Sequence, residues 1–180
     1  IAGALRTEAG SVLAFLPGAA EIRRTETMLR ERVQDPSVGI VALFGALDAS
    51  VQDRAIAPAP KGTRKVVLAT SIAETSLTIE GVRVVIDSGL MRVPRFSART
   101  GMTRLETLRV SRASADQRRG RAGRVGPGIA YRLWSEHEEG HLVPHGSPEI
   151  LEADLAPLAL ALAEAGITDP SQLEWLDAPP

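Results

Sequence analysis

Residues 117–124 read Gln117-Arg118-Arg119-Gly120-Arg121-Ala122-Gly123-Arg124, four arginines and two glycines in eight residues. Guanidinium groups are planar, permanently charged and present paired N–H donors, so phosphate oxygens are the partners that suit this density. A helix beginning near Ser114, capped by that hydroxyl and with Asp116 in its first turn, would place Gln117, Arg121 and Arg124 at i, i+4 and i+7 on one face. Gly120 and Gly123 leave the backbone bare beside that face, so another surface can approach closely. On charge alone, a solvated basic helix or a disordered arginine-glycine tail satisfies the same pattern.

A second group of phosphate-binding type is the hydroxyl-rich run Thr70-Ser71-Ile72-Ala73-Glu74-Thr75-Ser76-Leu77-Thr78-Ile79. Free amides and hydroxyls after a buried strand can hold phosphates, and an ordinary capped loop has the same composition. A third group is five arginines, Arg92, Arg95, Arg99, Arg104 and Arg109, on two strand-like stretches at 91–97 and 102–109 and the turn between them. Either a nucleic-acid backbone or solvent can face them.

The elements that must position these groups follow from periodicity. The short continuous apolar run at 11–16 predicts a strand buried on both faces, and 38–44, 65–69, 82–86 and 129–134 read as further strands. Between them, residues 19–34 carry apolar Ile22, Met28, Leu29 and Val33 at helical spacing, and Asp48 is placed to cap a helix over 49–56. Strands alternating with helices imply a parallel α/β sheet, whose ligands bind at the carboxyl ends of strands; Thr70 and Ser71 fall there. The hairpin over about 91–110 interrupts the alternation. Beyond a loop at 136–146, Ser147 and Pro148 suit the start of a helix striped by Leu151, Leu155, Leu158 and Leu162, with Gly166 to end it. The expected division is therefore 1–10 as the end of a preceding helix, 11–135 as the α/β domain, and 147–180 as a helical extension.

With 44% hydrophobic residues in 180, the chain can bury a core, and its lack of cysteine excludes disulfides and thiolate metal sites. That is compatible with a reducing cytoplasm. No apolar run is long enough for a membrane-spanning helix. The net charge of -1 hides a segregation: residues 91–132 hold eleven arginines against two acids, and residues 133–180 hold ten acids and no lysine or arginine. Such a distribution suits a surface for a polyanion followed by one that is not. The first seven residues, beginning at Ile1, read as the tail of a helix in a longer protein.

His137-Glu138-Glu139-Gly140-His141 matches H-E-x-x-H, which requires both histidines on one helical face with glutamate as base. Gly140 inside that helix and Pro144 close behind argue for a polar surface loop. No G-x-x-x-x-G-K-[ST] cradle for phosphates occurs, so the chain alone is not expected to hydrolyse a nucleotide. Arginines and a glutamine on an α/β scaffold without the cradle suit one half of a shared site.

The stretch 12–22, Leu43-Phe44-Gly45-Ala46-Leu47, the run 69–79 and the octapeptide 117–124, in that order, resemble the second RecA-like domain of DEAH-box helicases. The wording through Val93-Pro94-Arg95-Phe96 and Leu133-Trp134-Ser135 resembles the bacterial HrpB branch. The resemblance implies a RecA-like parallel sheet flanked by helices, with an inserted antiparallel β-hairpin and a C-terminal helical extension leading into a winged-helix domain. It implies that Gln117 faces the γ-phosphate and attacking water, that Arg121 and Arg124 neutralise the transition state, and that Arg118 and Arg119 are supporting charges. Thr70 and Ser71 would hold the nucleic-acid backbone. Ser76 would respond to nucleotide state, Glu80 would stand near the sugar, and Ile56 would take the place of a base-stacking phenylalanine. Arg92, Arg95, Arg104 and Arg109 would belong to a strand-separating hairpin. ATP and Mg2+ would be held mainly by a first RecA-like domain outside this chain, and the nucleic acid would be single-stranded RNA. The other reading of the arginine stripe is an RNA-binding α/β module with no nucleotide role; it requires tight, salt-sensitive RNA binding by this chain alone.

Overall fold

The computed structural model describes residues 1–180 except 76, 77 and 125. In chain order the elements are α1 (Ala2–Thr7), β1 (Ser11–Phe15), α2 (Ala19–Arg32), β2 (Val38–Leu43), α3 (Ala49–Ile56), β3 (Arg64–Ala69), α4 (Ile72–Thr75), β4 (Val82–Asp87), β5 (Leu90–Ser97) and β6 (Met102–Arg109). They continue with α5 (Arg112–Gly120), β7 (Ile129–Arg132), α6 (Glu136–Gly140) and α7 (Ala156–Glu164). The chain divides into two compact units, residues 1–91 with 107–145 and residues 92–106 with 146–180.

The first unit is built on a five-stranded sheet in the order β2-β3-β1-β4-β7, parallel throughout. In the central strand β1, Leu13 lies opposite Val67 on one side and Val85 on the other. Every residue of β1 is buried, because helices cover both faces. Val12 and Ala14 pack with Ala4 and Leu5 of α1 and Ile22 and Leu29 of α2. On the opposite face Leu13 and Phe15 join Ala55 of α3, Ala73 of α4 and Ala122. Each fully buried side chain such as Leu13 or Ile22 stabilises the fold by about 1.5–3 kcal/mol relative to exposure. A third cluster joins Val110 and Ala115 to Leu142, with Met91 and Trp134 beside it.

In the first unit the strands and helices expected from periodicity form within two residues of their expected limits, but four local expectations change. Asp48 precedes α3 without making a side-chain capping bond. The hydroxyl-rich run, expected as a loop, contains the four-residue helix α4. Helix α5 starts earlier than Ser114: Ser111 is the cap and accepts from the Ser114 amide at 3.2 Å. The amides of Arg112 and Ala113 are taken by the carbonyls of Val143 (2.8 Å) and Pro144 (3.1 Å), which anchors the earlier start and leaves Asp116 outside the first turn. Finally, the expected loop at 136–146 opens with α6, which Ser135 and Glu138 close in a reciprocal capping box.

In the second unit the tip of the β5–β6 hairpin is closed by amides of Thr100 and Gly101 on the Ser97 carbonyl, at 3.1 and 2.9 Å. The Phe96 amide donates to the Glu152 carbonyl at 2.9 Å, and Arg95 meets the Glu152 carboxylate at 3.1 Å. The helix expected from Ser147 is divided. Residues Glu149–Leu151 form a single 3-10 turn, and α7 begins after Asp154 accepts from the Ala156 amide at 3.0 Å. Leu155, Leu158 and Leu162 therefore line one groove with Trp175, while Leu151 stands apart and exposed. Gly166 follows α7 at φ +79, the left-handed conformation that suits glycine after a helix. Among the described residues, no helix is long and apolar enough to cross a membrane.

Candidate functional site

The arginine octapeptide straddles the end of α5, and its four arginines have different surroundings. Arg118 is 1% exposed, whereas the adjacent Gln117 and Arg119 are exposed. The Arg118 guanidinium donates through Nε to Glu74 Oε1 at 2.7 Å, and its Nη2 lies 2.6 Å from the same oxygen. Its Nη1 donates to Asp87 Oδ1 at 2.7 Å and to the Leu90 carbonyl at 3.2 Å. The Phe15 ring lies beneath it, 4.8 Å from ring centroid to guanidinium carbon. Arg118 thus ties α5 to α4, to the end of β4 and to the first residue of β5, and is more than a supporting charge. Asp87 also accepts from the Gly89 amide at 2.9 Å. Gly89 needs to be glycine: its φ is +73, and a Cβ there would lie 2.7 Å from Trp134.

Gln117 and Arg121 keep the expected i, i+4 relation, because Arg121 is the C-cap and still helical in backbone. Arg124 lies outside the helix, after tightened turns in which Ala122 and Gly123 donate to the carbonyls of Arg119 and Gly120. The single-face pattern expected for all three therefore breaks at Arg124, which donates to Thr78 Oγ1 in the segment after α4. The turn nevertheless brings Arg124 within electrostatic reach of Arg121. Arg121 is 8% exposed, and burial first, then the like charge of Arg124, pushes its pKa below the ordinary value against the pull of Glu74. Gly128 closes this turn against the start of β7: a Cβ there would fall 2.1 Å from the Ala122 carbonyl oxygen.

Thr70 and Ser71 lie at the carboxyl end of β3, both half-buried. The Thr70 amide donates to the Leu43 carbonyl at 3.2 Å, and the carbonyls of Thr70 and Ser71 accept from Ala73 (3.3 Å) and Glu74 (2.9 Å). Both residues thus belong to the entry of α4. Ser76 lies outside the described residues.

Ile56 is half-buried as the last residue of α3, and Glu80 is exposed just before β4. Lys65, 5% exposed, relates the two. Its Nζ donates to the carbonyls of Ala55 and Ala57, on either side of Ile56, and its charge couples to Glu80. Burial lowers the Lys65 pKa, and Glu80 partly restores it. Periodicity assigned Lys65 only to the start of a strand; the signal in the sequence was an ammonium heading an otherwise apolar buried run.

Of the hairpin arginines, Arg109 pairs with Glu138, while Arg95 reaches Glu106 at 3.6 Å as well as Glu152. Arg92 is half-buried, and Arg104 is exposed. In the H-E-x-x-H stretch, Glu138 is occupied by Arg109 and by Ser135, whose amide donates to it at 2.9 Å. His141 Nδ1 lies 2.8 Å from the His137 carbonyl. Among the described residues, no group of three or more metal-ligating side chains comes together.

Residues 2–126 match the family model described as the helicase conserved C-terminal domain. The chain is 52% identical over 176 residues, 98% of its length, to the protein named ATP-dependent RNA helicase HrpB from Escherichia coli (strain K12). It is 41% identical over 177 residues, 95% of its length, to the pre-mRNA-splicing factor ATP-dependent RNA helicase prp22 of Schizosaccharomyces pombe. It spans 22% and 15% of these two relatives. A crystal structure of the Escherichia coli DEAH/RHA helicase HrpB superposes with a TM-score of 0.92 at 51% identity, covering 99% of this chain and 23% of that one. The parallel sheet, the inserted hairpin and these matches lead to one conclusion: the chain belongs to the helicase conserved C-terminal domain family, among DEAH-box proteins of the HrpB type.

Proposed function

We propose that the chain is the second motor domain of an ATP-dependent RNA helicase, and that Arg121 and Arg124 act as arginine fingers on a nucleotide held mainly by a first RecA-like domain. The observation that carries this reading is the placement of Gln117 and the nearly buried Arg121 one helical turn apart at the end of α5, with Arg124 in the turn that follows. Arg121 is nearly buried and destabilised by Arg124, a like charge, and an incoming anion relieves that repulsion. Gln117 stands exposed one helical turn before Arg121, where it can orient a water. Phosphoryl transfer asks little else of this half of the site: charge has to be met where it develops in the transition state. ATP and Mg2+ are the ligands this chemistry calls for, with Ile56 and Glu80 toward base and sugar. Single-stranded RNA would run along Thr70 and Ser71 and past the hairpin carrying Arg92, Arg95, Arg104 and Arg109.

The test is ATP turnover in the full-length protein. Arg121→Ala or Arg124→Ala is expected to lower it by up to ~10³-fold or more. Wild-type turnover in either variant removes the finger assignment. Tight, salt-sensitive RNA binding by this chain alone would favour the RNA-binding module instead.

A further inference from the structure

We infer that the Glu74–Arg118 pair is a positioning link, through which contact of RNA at Thr70 and Ser71 sets the placement of Gln117 and Arg121. The inference rests on the motor reading above. Helix α4 has four residues, and its first amide acceptors are the carbonyls of Thr70 and Ser71, so a displacement of these two residues carries Glu74 with it. Glu74 in turn receives two donors of Arg118 on a single oxygen. Arg118 lies between Gln117 and Arg121 in sequence, and the Arg121 amide donates to its carbonyl at 3.1 Å.

The other contacts of Arg118 define a fixed frame. Asp87 ends a buried strand, Phe15 belongs to the central strand, and both are fully enclosed. Glu74 sits on a single helical turn, which follows Thr70 and Ser71 directly and whose Ala73 packs into the core. It also attracts Arg121. One carboxylate thus bears on both a buried anchor and a proposed finger, and its position is set by the residues that would meet the nucleic acid. Glu74 and Arg118 touch neither ligand; their role is to hold the groups that do.

The experiment measures ATP turnover of the full-length protein with and without poly(U), together with poly(U) affinity at fixed salt. Glu74→Gln leaves Arg118 paired one-to-one with Asp87, so the fold is expected to hold. Poly(U) affinity should stay close to wild type, while turnover falls about tenfold further with RNA than without it, so that the stimulation by RNA drops by an ordinary size for coupling between sites. Glu74→Asp keeps the charge and withdraws it by one methylene; it should lower the stimulation as well and serves where the glutamine variant is poorly folded. Unchanged stimulation in a folded variant, or equal losses with and without RNA, overturns the link while the finger assignment stands. Absence of RNA stimulation in the wild-type protein overturns the motor reading and the link together.

Discussion

Arg118 and Asp87 meet at 2.7 Å with side chains 1% and 3% exposed, enclosed between α5 and the end of β4. Two carboxylates, Asp87 and Glu74, share this one guanidinium. Buried charges of this kind are tolerated only while paired, because desolvation of each ion costs several kcal/mol.

Removing the cation should therefore be severe. Arg118→Met keeps much of the volume but leaves both carboxylates without their partner, and it is expected to cost about 3–5 kcal/mol of stability. The exposed neighbour offers the control: Arg119→Met should change stability by no more than ~0.5 kcal/mol. Urea unfolding of the two variants against wild type makes the comparison.

Gly128 offers a steric test of the arginine turn. A Cβ there would collide with backbone, the Ala122 carbonyl, which cannot swing aside as a side chain could. Gly128→Ala should cost about 1–3 kcal/mol, as overpacking does. Gly123→Ala meets nothing within 4 Å and should be tolerated far better. Thermal unfolding of both variants checks the contrast.

Ile56 can cover a nucleotide base but offers no π face. Ile56→Phe in the full-length protein should lower KM for ATP several-fold, in line with about 0.5–1.5 kcal/mol for an aromatic pair. Lys65→Met releases the carbonyls of Ala55 and Ala57 and should raise KM, since the turn carrying Ile56 loses its tether. If KM is unchanged in both variants, Ile56 does not face the nucleotide.

Glu138 provides a pH-dependent signature. The Ser135 amide, then the Ser135 hydroxyl and Arg109, hold its carboxyl below the usual glutamate range. A folded pKa below the unfolded value of about 4.3 means that the capping box contributes fully above that value, and that its contribution is lost as pH falls through the folded pKa. An NMR titration of the Glu138 carboxyl should show a depressed midpoint that rises only in part in Ser135→Ala, since the residue-135 amide and Arg109 still act on it; a wild-type midpoint at about 4.3 would refute the capping box in solution.

Much of this protein was legible in the linear chain, because the relevant signals are local. Short β-branched runs such as Val66-Val67-Leu68-Ala69 suit strands covered on both sides, and their alternation with amphipathic stretches implies a parallel sheet. The order of the hydroxyl run, the hairpin and the arginine octapeptide carried the family resemblance without coordinates. The sequence alone could not rank Arg118 against Arg119. Arg118 and Arg119 are adjacent and chemically identical, yet one is buried and the other exposed. What separates them is the arrival of Glu74 from 44 residues away and Asp87 from 31, contacts that no local period encodes. The cap of α5 was decided in the same way, by the carbonyls of Val143 and Pro144, and so was the need for glycine at 128. Residue type and spacing determined which groups could meet phosphate; only the packing of distant segments decided which of them is spent holding the fold.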